Sequence, residues 1–499
     1  MAAFERIITG INDIIWSNAV IVILSGLALF FTIMTKGIQF RRVPSMFKHL
    51  TEKESTDKSK GLNAFQSLAT TVGSRVGTGN IAGVATAIFF GGPGAIVIMW
   101  ITALFGASTG IIECILGQAY KNKSGNELVG GPACYMERGL KKRWLGVLYV
   151  IATFIGTFLL AAVQTYTSAS SVARSFPVMK PVITGLLLTF FVAIVIIGGI
   201  TRIGKVAEIL APMMTGIYFF IGIIILVVNF RRLPETLAMM FRTAFTKDAV
   251  FGGILGSTIT WGIKRGFFSN DAGNGMAPMV SSTAETSHPA KQGLIQGLSV
   301  YIDTLLICTI TGMSILLAGT YSVSANGVDM TELVVDYAPG IQYGILYMQE
   351  GMVKTIGEIG GPLLSIIITV FVYTTLLSYS YEIESSIHFL CGNDRKVITI
   401  VRVLFLGACF FGSFIEGGVV WDMGDTGVGI MTWVNIVAVV LLSPIAFRII
   451  KDYDMQRKAG LDPIFDPKTV GISDENGVWS EYVIKKKERG DYQNKELKY

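Results

Sequence analysis

Residues 76–94 read VGTGNIAGVATAIFFGGPG, a stretch apolar enough for a membrane helix but interrupted by glycines at its centre. Gly77, Gly79 and Gly83 each lower helix propensity by about 1 kcal/mol relative to alanine. Asn80 lies among them and needs a hydrogen-bond partner inside an apolar span. The stretch therefore predicts a transmembrane helix that is unwound near its middle. The alternative is close packing against a neighbouring helix, which the spacing of Gly79 and Gly83 also fits.

The composition of the whole chain is typical of an integral membrane protein. Of its 499 residues, 51% are hydrophobic and 15% are charged, and the mean hydropathy is +0.57. Runs of about 20 apolar residues, enough to cross about 30 Å of hydrocarbon, predict eleven helical spans in an all-α protein. The predicted spans are 14–35, 64–90, 94–119, 145–172, 182–200, 206–229, 249–285, 292–318, 356–381, 397–414 and 426–449.

The distribution of Lys and Arg predicts how the chain is oriented in the cell membrane. One set of alternate connections, with the C-terminal tail, holds 28 basic residues, and the opposite set holds eight. Basic loops stay in the cytoplasm, so we expect a multi-pass protein with its N-terminus outside and its C-terminus in the cytoplasm. The loop 230–248, with four basic residues, goes against this bias. The net charge of +6 then reflects orientation and contact with membrane lipid, and nothing indicates a nucleic-acid partner.

Only two spans are interrupted by glycines and polar residues together, at 72–83 and at 264–275. They are five spans apart. If each opens a five-helix half, the odd number of helices makes the two halves inverted repeats, an arrangement typical of secondary transporters. The predicted regions are an extra N-terminal helix with a basic linker (1–63), a first repeat (64–230), a second repeat (249–449) and a polar cytoplasmic tail (450–499).

The first interruption has the chemistry to bind a zwitterion. A broken helix exposes carbonyls at the end of its first half and amides at the start of its second. Here the carbonyls near Gly73 to Val76 and the amides of Thr78, Gly79 and Asn80 fill those places. An amino acid offers a carboxylate for the amides and an ammonium group for the carbonyls.

The second interruption is rich in charged and amide side chains, which are expensive inside a membrane and usually functional. We expect a structural ion network of Lys264, Arg265 and Asp271, or direct contact of these residues with a substrate. Phe267 and Phe268 could form the wall of a side-chain pocket, or simply pack.

Further polar positions occur in apolar helices. Gln164 could hydrogen-bond a substrate or a neighbouring helix. In the span 356–381, Thr374 and Ser378 share one helix face, and Thr375 and Tyr379 share the adjacent one. Hydroxyl and carbonyl oxygens are ligands that small hard cations prefer, although hydroxyls also bond to the preceding helical turn.

Two predictions concern other parts of the chain. Glu113 and Arg75 are expected to form a structural or gating ion pair, with proton coupling through Glu113 as the alternative. The tail is expected to pack on the membrane domain near 462–467, and the segment 321–350 could lie over the mouth of a pathway or be an ordinary loop.

Three motifs together resemble the alanine/glycine:cation symporter family, which comprises sodium-coupled amino acid carriers. They are SRVGTGNIAGVATAIFFGGPGAIVIMW from residue 74, GGPACYMERGL at 130–140 and FFSNDAGNGMAP at 267–278. The resemblance covers about residues 60–450, and SHPAKQGLIQGLSVYIDTLLIC at 287–308 resembles the branch with glutamine carriers. It implies the inverted five-plus-five fold of the amino acid, polyamine and cation superfamily, with two discontinuous helices and one extra N-terminal helix.

The resemblance also implies a set of binding residues. VGTGN is similar to the V-G-x-G-N break of neurotransmitter:sodium symporters, which implies sodium binding by Gly73, Val76, Thr374 and Thr375. For the substrate, it implies the amides of Thr78 and Gly79, beside Asn80, together with Gln164, Phe267, Asn270 and Thr375. Many alanine carriers have tryptophan where this chain has Tyr379, so the smaller ring could lengthen the substrate pocket.

The function expected from the sequence is sodium-coupled symport of a small neutral amino acid, alanine, glycine or glutamine, by alternating access. A proton-coupled carrier is the alternative, and an ion channel is a third reading that the sparse polar residues suit less well. No enzymatic role is expected, because the chain has no H-E-x-x-H motif and only three histidines. Sodium is the expected coupling ion, with no organic cofactor.

Overall fold

A computed structural model of the chain describes residues 2–52, 61–124, 127–245, 254–325, 327, 332–415, 419–474 and 477–488. Helices make up most of this part of the chain. The helices of the first half are α1 (Ala2–Ile15), α2 (Asn18–Met34), α3 (Ile38–Arg41), α4 (Val43–Leu50), α5 (Ala64–Arg75), α6 (Val84–Gly91), α7 (Ala95–Ala119), α8 (Pro132–Arg138), α9 (Arg143–Ser175), α10 (Pro181–Ile196), α11 (Gly199–Val228) and α12 (Leu233–Phe245).

The second half continues the pattern. Its helices are α13 (Leu255–Asn270), α14 (Met276–Ser281), α15 (Pro289–Val300), α16 (Thr309–Ala318), α17 (Ile345–Ile356), α18 (Gly360–Cys391), α19 (Arg395–Phe411), α20 (Val419–Lys458) and α21 (Val478–Glu488). The strands form two antiparallel two-stranded sheets: β1 (Asn122–Ser124) with β2 (Glu127–Val129), and β3 (Ser322–Ser324) with β4 (Leu333–Asp336).

Within the described residues, eight helical stretches are long and apolar enough to cross a membrane. They coincide with eight of the predicted spans, at Arg6–Met34, Ala95–Ala119, Arg143–Ser175, Gly199–Val228, Pro289–Ala318, Gly360–Cys391, Arg395–Phe414 and Val419–Lys458. The predicted span 182–200 is represented by the shorter apolar helix Pro181–Ile196. The chain is therefore a multi-pass membrane protein.

The two remaining spans are interrupted where the glycines and polar residues cluster. The first consists of α5, a π-helical turn at Gly79–Gly83, and α6. The second consists of α13 and α14, separated by residues 271–275. A second π-helical turn, Tyr301–Cys308, joins α15 to α16.

Close packing of the long helices holds these interrupted segments inside the bundle. The helix α9 packs along α18 and α20, and α7 packs along α13 and α15. A Cβ on Gly156 of α9 would lie 2.8 Å from the carbonyl oxygen of Gly427 in α20, so only glycine permits this approach.

The helices that lie outside the predicted spans include α1, α12 and α17. The helix α1 precedes the first predicted span and packs on α20, where Thr9 and Asn12 hydrogen-bond the carboxylate of Asp422 at 2.7 and 3.0 Å. The helices α12 and α17 fall within the predicted connections 230–248 and 319–355. All three are short or amphipathic, which is why a search for long apolar runs passes over them.

The described residues of the segment 321–350 cover the end of α6. The ring of Tyr343 stacks on Phe89 with centroids 4.7 Å apart. The tail contact is also present: Lys291 Nζ lies 2.8 Å from a carboxylate oxygen of Asp462, and the amide of Phe465 donates to the carbonyl of Ser287 at 2.9 Å. The predicted packing of the tail near 462–467 is confirmed.

Candidate functional site

The first interruption leaves helical geometry at Val76, whose φ and ψ are −77° and 94°. The next two amides find side-chain partners. The Gly77 amide donates to Oδ1 of Asn80 at 2.9 Å, and the Thr78 amide donates to Oε1 of Gln164 at 3.1 Å. Two of the orphan donors that a broken helix creates are therefore satisfied here by amide side chains, one local and one from α9.

Gly77 lies at the point where the neighbouring side chains converge. A Cβ at this position would lie 2.8 Å from Oε1 of Gln164 and 2.9 Å from Oγ1 of Thr375. Real Cβ contacts are not this short, so the absence of a side chain at residue 77 allows α9 and α18 to approach the break together.

The carbonyl side of the break faces α18. Oγ1 of Thr375 lies 3.0 Å from the carbonyl oxygen of Gly73, 3.2 Å from that of Val76 and 2.9 Å from that of Phe371. A hydroxyl carries one proton, so it cannot satisfy three carbonyls fully. The surplus of oxygen lone pairs is an arrangement that suits a small hard cation.

The hydroxyls of Thr374 and Ser378, also in α18, have different partners. Oγ1 of Thr374 donates to the carbonyl of Phe371 at 2.9 Å and lies 3.5 Å from Sδ of Met214. Oγ of Ser378 donates to the carbonyl of Thr70 at 3.1 Å. Of the two threonines predicted to hold sodium, Thr375 is the one that contacts the carbonyls of the break, while Thr374 packs beside Gly73.

The second interruption is built from left-handed residues, with φ of 54° at Asp271, 98° at Gly273 and 87° at Gly275. Its free amides are also partnered by side chains. The Ala272 amide donates to Oδ1 of Asn270 at 3.0 Å, and the Gly273 amide donates to Oε1 of Glu113 at 3.2 Å.

Glu113 and Arg75 do not form the predicted ion pair in the described part of the chain. The second carboxylate oxygen of Glu113 accepts from Nδ2 of Asn435 at 3.1 Å. Arg75 instead donates to the carbonyl of Gln296 at 3.3 Å and to the hydroxyl of Ser299. The reason is geometric: the Gly273 amide has no helical partner, and the Glu113 carboxylate supplies one.

The predicted ion network at the second interruption has a different acidic member. Lys264 Nζ lies 2.7 Å from the carboxylate of Asp425, and Arg265 binds the same carboxylate through two nitrogens at 2.8 and 3.0 Å. Asp271 accepts from the side-chain amide of Asn274 at 2.8 Å. The buried network therefore ties α13 to α20 and leaves Asp271 at the break.

Aromatic residues surround the first interruption unequally. The ring of Phe268 lies 3.2 Å from the position that a Cβ on Gly79 would occupy, whereas the ring of Phe267 lies 3.5 Å from the corresponding position on Gly106 in α7. Nε2 of Gln164 donates to the hydroxyl of Tyr379 at 3.4 Å. Phe268 and Tyr379 therefore border the Gly77 region, and Phe267 faces α7.

Among the described residues, the buried polar atoms near the breaks that have no hydrogen-bond partner include Oγ1 of Thr78 and Nδ2 of Asn270. Both residues are fully buried, and a buried polar group without a partner costs free energy. A polar ligand bound between the two interruptions would satisfy such groups.

Asp303, in the π-helical turn at 301–308, was not selected from the sequence. Its carboxylate accepts from Nδ2 of Asn80 at 2.5 Å and from the hydroxyls of Ser269 and Thr304, both at 2.8 Å. It therefore joins both interruptions, and the side chain of Asn80 points toward it. The available signal was a lone acidic residue in the apolar span 292–318, which is costly without a role.

Two cavities lie at opposite ends of the interrupted helices. One, of about 320 Å³, is lined by residues that include Tyr166, Arg174, Tyr343 and Trp421. The other, of about 600 Å³, lies beside the N-terminal end of α5 and is lined by residues that include His49, Glu52, Gln66, Lys205 and Lys291.

An ion cluster between the linker before α5 and the first turn of α15 lines the larger cavity. Lys291 Nζ lies 2.9 Å from the carboxylate of Glu52, and Nδ1 of His49 lies 3.0 Å from its other oxygen. Partial burial raises the pKa of Glu52, but the hydrogen bond with His49 and the charge of Lys291 outweigh it and hold the pKa at about 2. The linker before α5 is thereby attached to the start of α15.

Comparison with known proteins gives a consistent result. A family model described as the sodium:alanine symporter family matches residues 1–467. A relative named putative sodium/proton-dependent alanine carrier protein YrbD, from Bacillus subtilis, is 39% identical over 480 residues, covering 95% of this chain and 98% of the relative. A probable sodium/glutamine symporter, GlnT, from the same organism is 37% identical over 475 residues, covering 95% of each chain.

Two further comparisons reach more distant proteins. The sodium/alanine symporter AgcS of Methanococcus maripaludis is 35% identical over 462 residues, covering 91% of this chain and 98% of AgcS. Among solved structures, a manganese transporter from Eremococcus coleocola matches with a TM-score of 0.51 at 11% identity, covering 87% of this chain and 86% of that chain. This last match concerns the fold alone.

Proposed function

Because this chain belongs to the sodium:alanine symporter family, we propose that it carries a small neutral amino acid across the cell membrane together with sodium. The family and the named relatives support sodium-coupled amino acid symport. The observation that carries the proposal is the break at residues 76–78, whose carbonyls face Thr375 and whose amide at Thr78 faces Gln164. A transporter with this site has no need of a catalytic group or an organic cofactor.

Sodium is proposed to bind on the carbonyl side of the break. The carbonyl oxygens of Gly73 and Val76 and the hydroxyl of Thr375 already lie together. Rotation of the Thr374 hydroxyl away from the Phe371 carbonyl would bring a fourth oxygen to the same place, since Thr374 packs against Gly73. A bound sodium ion would be coordinated by these oxygen atoms, whose lone pairs the single proton of the Thr375 hydroxyl cannot all satisfy.

The amino acid is proposed to bind on the amide side. Its carboxylate would take the place of Oε1 of Gln164 on the Thr78 amide and extend to the amide of Gly79. Gln164 would then be released to turn its own amide toward the substrate. The hydroxyls of Thr375 and Tyr379 and the ring of Phe268 would enclose the rest. Asn270 would contribute from the end of α13, and Asn80 would fix Gly77, whereas Phe267, which the sequence also predicted, faces α7.

Gly77 lies between the two proposed ligands, which explains how they would be coupled. Sodium would hold α5 against α18 and so set the position of the Thr78 amide. Coupling of two binding equilibria is reciprocal, so the amino acid should tighten sodium binding by the same factor.

For the architecture, we propose the eleven-span inverted repeat predicted from the sequence. The first repeat runs from α5 to α11 and the second from α13 to α20, so each opens with its interrupted helix. The basic residues support a cytoplasmic C-terminus and an outside N-terminus. The proposed regions are thus 1–63, 64–230, 249–449 and 450–499. The cavities at the two ends of the bundle are then the two sides of an alternating-access pathway.

Proton coupling is the second candidate. The observation that favours it is Asp303, a fully buried carboxyl in direct contact with Asn80 of the first interruption. An acidic group at that depth is of the kind that relays protons in carriers.

The test is uptake of radiolabelled alanine, glycine and glutamine by proteoliposomes that contain the purified protein. With an inward sodium gradient we expect saturable accumulation of at least one of the three, and loss of that accumulation when potassium replaces sodium. Equal accumulation in potassium would overturn sodium coupling. If a proton gradient alone drove that uptake, the second candidate would replace the first.

A further inference from the structure

An apolar groove of about 360 Å³ lies between α5, α11 and the π-helical turn at 301–308. Its floor is made by Leu68, Ala69 and Val72 of α5 and by Ala211 of α11, each no more than 5% exposed. Phe65 and Phe219, at 38% and 44% exposure, form its open rim. The groove has a built floor and walls, and it opens outward.

The outward opening leads to the surface that faces lipid. On α11 the neighbouring exposed residues are all apolar: Ile209, Met213, Ile217 and Phe220. In a membrane-spanning helix such a surface contacts hydrocarbon. The groove is therefore continuous with the lipid interface of the protein, and what enters it comes from the bilayer.

Small residues of α11 set the width of the groove. Gly216 lines it, and a Cβ built there would meet nothing within 4 Å. Pro212, one turn earlier, also lines it. No packing contact within the described chain requires glycine at 216, so a larger side chain would fit, and it would fill the groove.

The groove adjoins the proposed sodium site. Val72 precedes Gly73, and Met214 of α11 contacts Thr374 through its sulfur at 3.5 Å. The half-helix α5 ends at Arg75, so it is a short element whose position depends on the neighbours it packs against. A molecule bound between α5 and α11 would therefore affect the position of the Gly73 carbonyl.

We propose that one acyl chain of a bilayer phospholipid occupies this groove and supports the position of α5. A flexible hydrocarbon chain matches the groove because its lining is almost wholly apolar, with Thr215 as the one hydroxyl among the lining residues. Occupancy itself is independent of the proposed function, whereas its effect on sodium binding rests on that function.

The occupancy is tested with a phospholipid that carries a photoactivatable group on its acyl chain, in nanodiscs that contain the full-length protein. We expect labelled residues to concentrate on Leu68, Val72 and Phe219. In Gly216→Leu the labelling of the groove residues should fall at least about fivefold, because the leucine side chain fills the space that the acyl chain would occupy. The matched control is Gly407→Leu in α19, where a Cβ also meets nothing within 4 Å; its groove label should equal that of the wild type.

Two results would overturn the proposal. One is groove labelling no denser than that of the open lipid-facing surface of α10, at Leu186 and Phe190. The other is undiminished groove labelling in a folded Gly216→Leu protein.

The effect on sodium is measured separately. Lipid removal in detergent should raise the sodium concentration for half-maximal substrate binding in the wild type and in Gly407→Leu, and added phospholipid should restore it. In Gly216→Leu the added lipid should have no effect. Equal restoration in all three proteins would show that the groove lipid does not support the sodium site. If none of them bound substrate, the proposed function would fail while the labelling result would stand.

Discussion

The hydroxyl of Thr375 lies 3.0 Å from the carbonyl oxygen of Gly73, so α18 touches α5 at the point where α5 stops being a helix. The same hydroxyl reaches the carbonyl of Val76 at 3.2 Å. A single side chain thus bridges the last turn of one half-helix and the unwound residue that follows. This contact is the structural basis for the proposed coupling of ion and amino acid.

Replacing Thr375 with valine keeps the shape of the side chain and removes this oxygen. We expect the sodium concentration for half-maximal uptake to rise at least about tenfold, equivalent to about 1.4 kcal/mol. Thr374→Val is the matched control and should have a smaller effect, because the Thr374 hydroxyl donates to Phe371 rather than to the break. Equal effects of the two substitutions would contradict the preference for Thr375.

Gly77→Ala would place a methyl group 2.8 Å from Gln164 and 2.9 Å from Thr375. Gln164 can turn away, but Thr375 is fixed on its helix, so the break must shift. We expect uptake to fall at least about tenfold while the protein remains folded. Gly26→Ala is the control, since a Cβ there meets nothing within 4 Å. Normal uptake by Gly77→Ala would show that residue 77 is not at the substrate.

The Lys264, Arg265 and Asp425 network gives a prediction about stability. Asp425→Asn removes the only carboxylate that contacts both cations in the described chain, leaving two buried positive charges without a counter-ion. Breaking a buried pair in this way costs about 3 to 5 kcal/mol, so the melting temperature in detergent should drop clearly. The carboxylate of Asp422 binds the neutral side chains of Thr9 and Asn12. Asp422→Asn should therefore lower the free energy of unfolding by only about 1 kcal/mol. A melting temperature unchanged by Asp425→Asn would contradict the network's role.

The ionisation of Glu52 should make the stability of the contact between the linker and α15 depend on pH. Its pKa is depressed from the ordinary 4.5 to about 2 by His49 and Lys291. A depressed carboxyl stabilises the folded state above its unfolded pKa, and this stabilisation is lost as pH falls from about 4.5 toward 2. The melting temperature of Glu52→Gln should therefore lie below that of the wild type at pH 7.

The same difference should shrink as the pH is lowered below 4.5. Solvent screening keeps the effect small, because Glu52 is partly exposed. A melting-temperature difference that stayed constant from pH 7 to pH 3 would mean that the Glu52 carboxylate contributes nothing through its charge.

The two interruptions could be located from the sequence because they break a local rule. Glycines and an asparagine in an apolar span contradict helix propensity, and the structure leaves helical geometry at Val76 and again at Asp271. Most long helices are recognisable for the same reason, since a run of apolar residues is a local property.

The hydrogen-bond and ion-pair partners of the buried polar groups could not be predicted from local sequence patterns. Asp425 lies 160 residues from Arg265, and Asn435 lies 322 residues from Glu113. Pairing at that distance depends on how the helices are arranged, which local patterns do not contain. Arg75 and Glu113 look like a pair in sequence, but the unpartnered amide of Gly273 takes the carboxylate. Amphipathic helices such as α1 and α17 were not predicted from the sequence, because they contain no long apolar run.

The most direct test of the central claim is equilibrium binding of the transported amino acid to the purified protein as a function of sodium. If carbonyls and amides of one break bind the two ligands, sodium should lower the dissociation constant of the amino acid, and the amino acid should lower that of sodium by the same factor. Thr375→Val should reduce this factor. An amino acid affinity that is the same in sodium and in potassium would contradict the account.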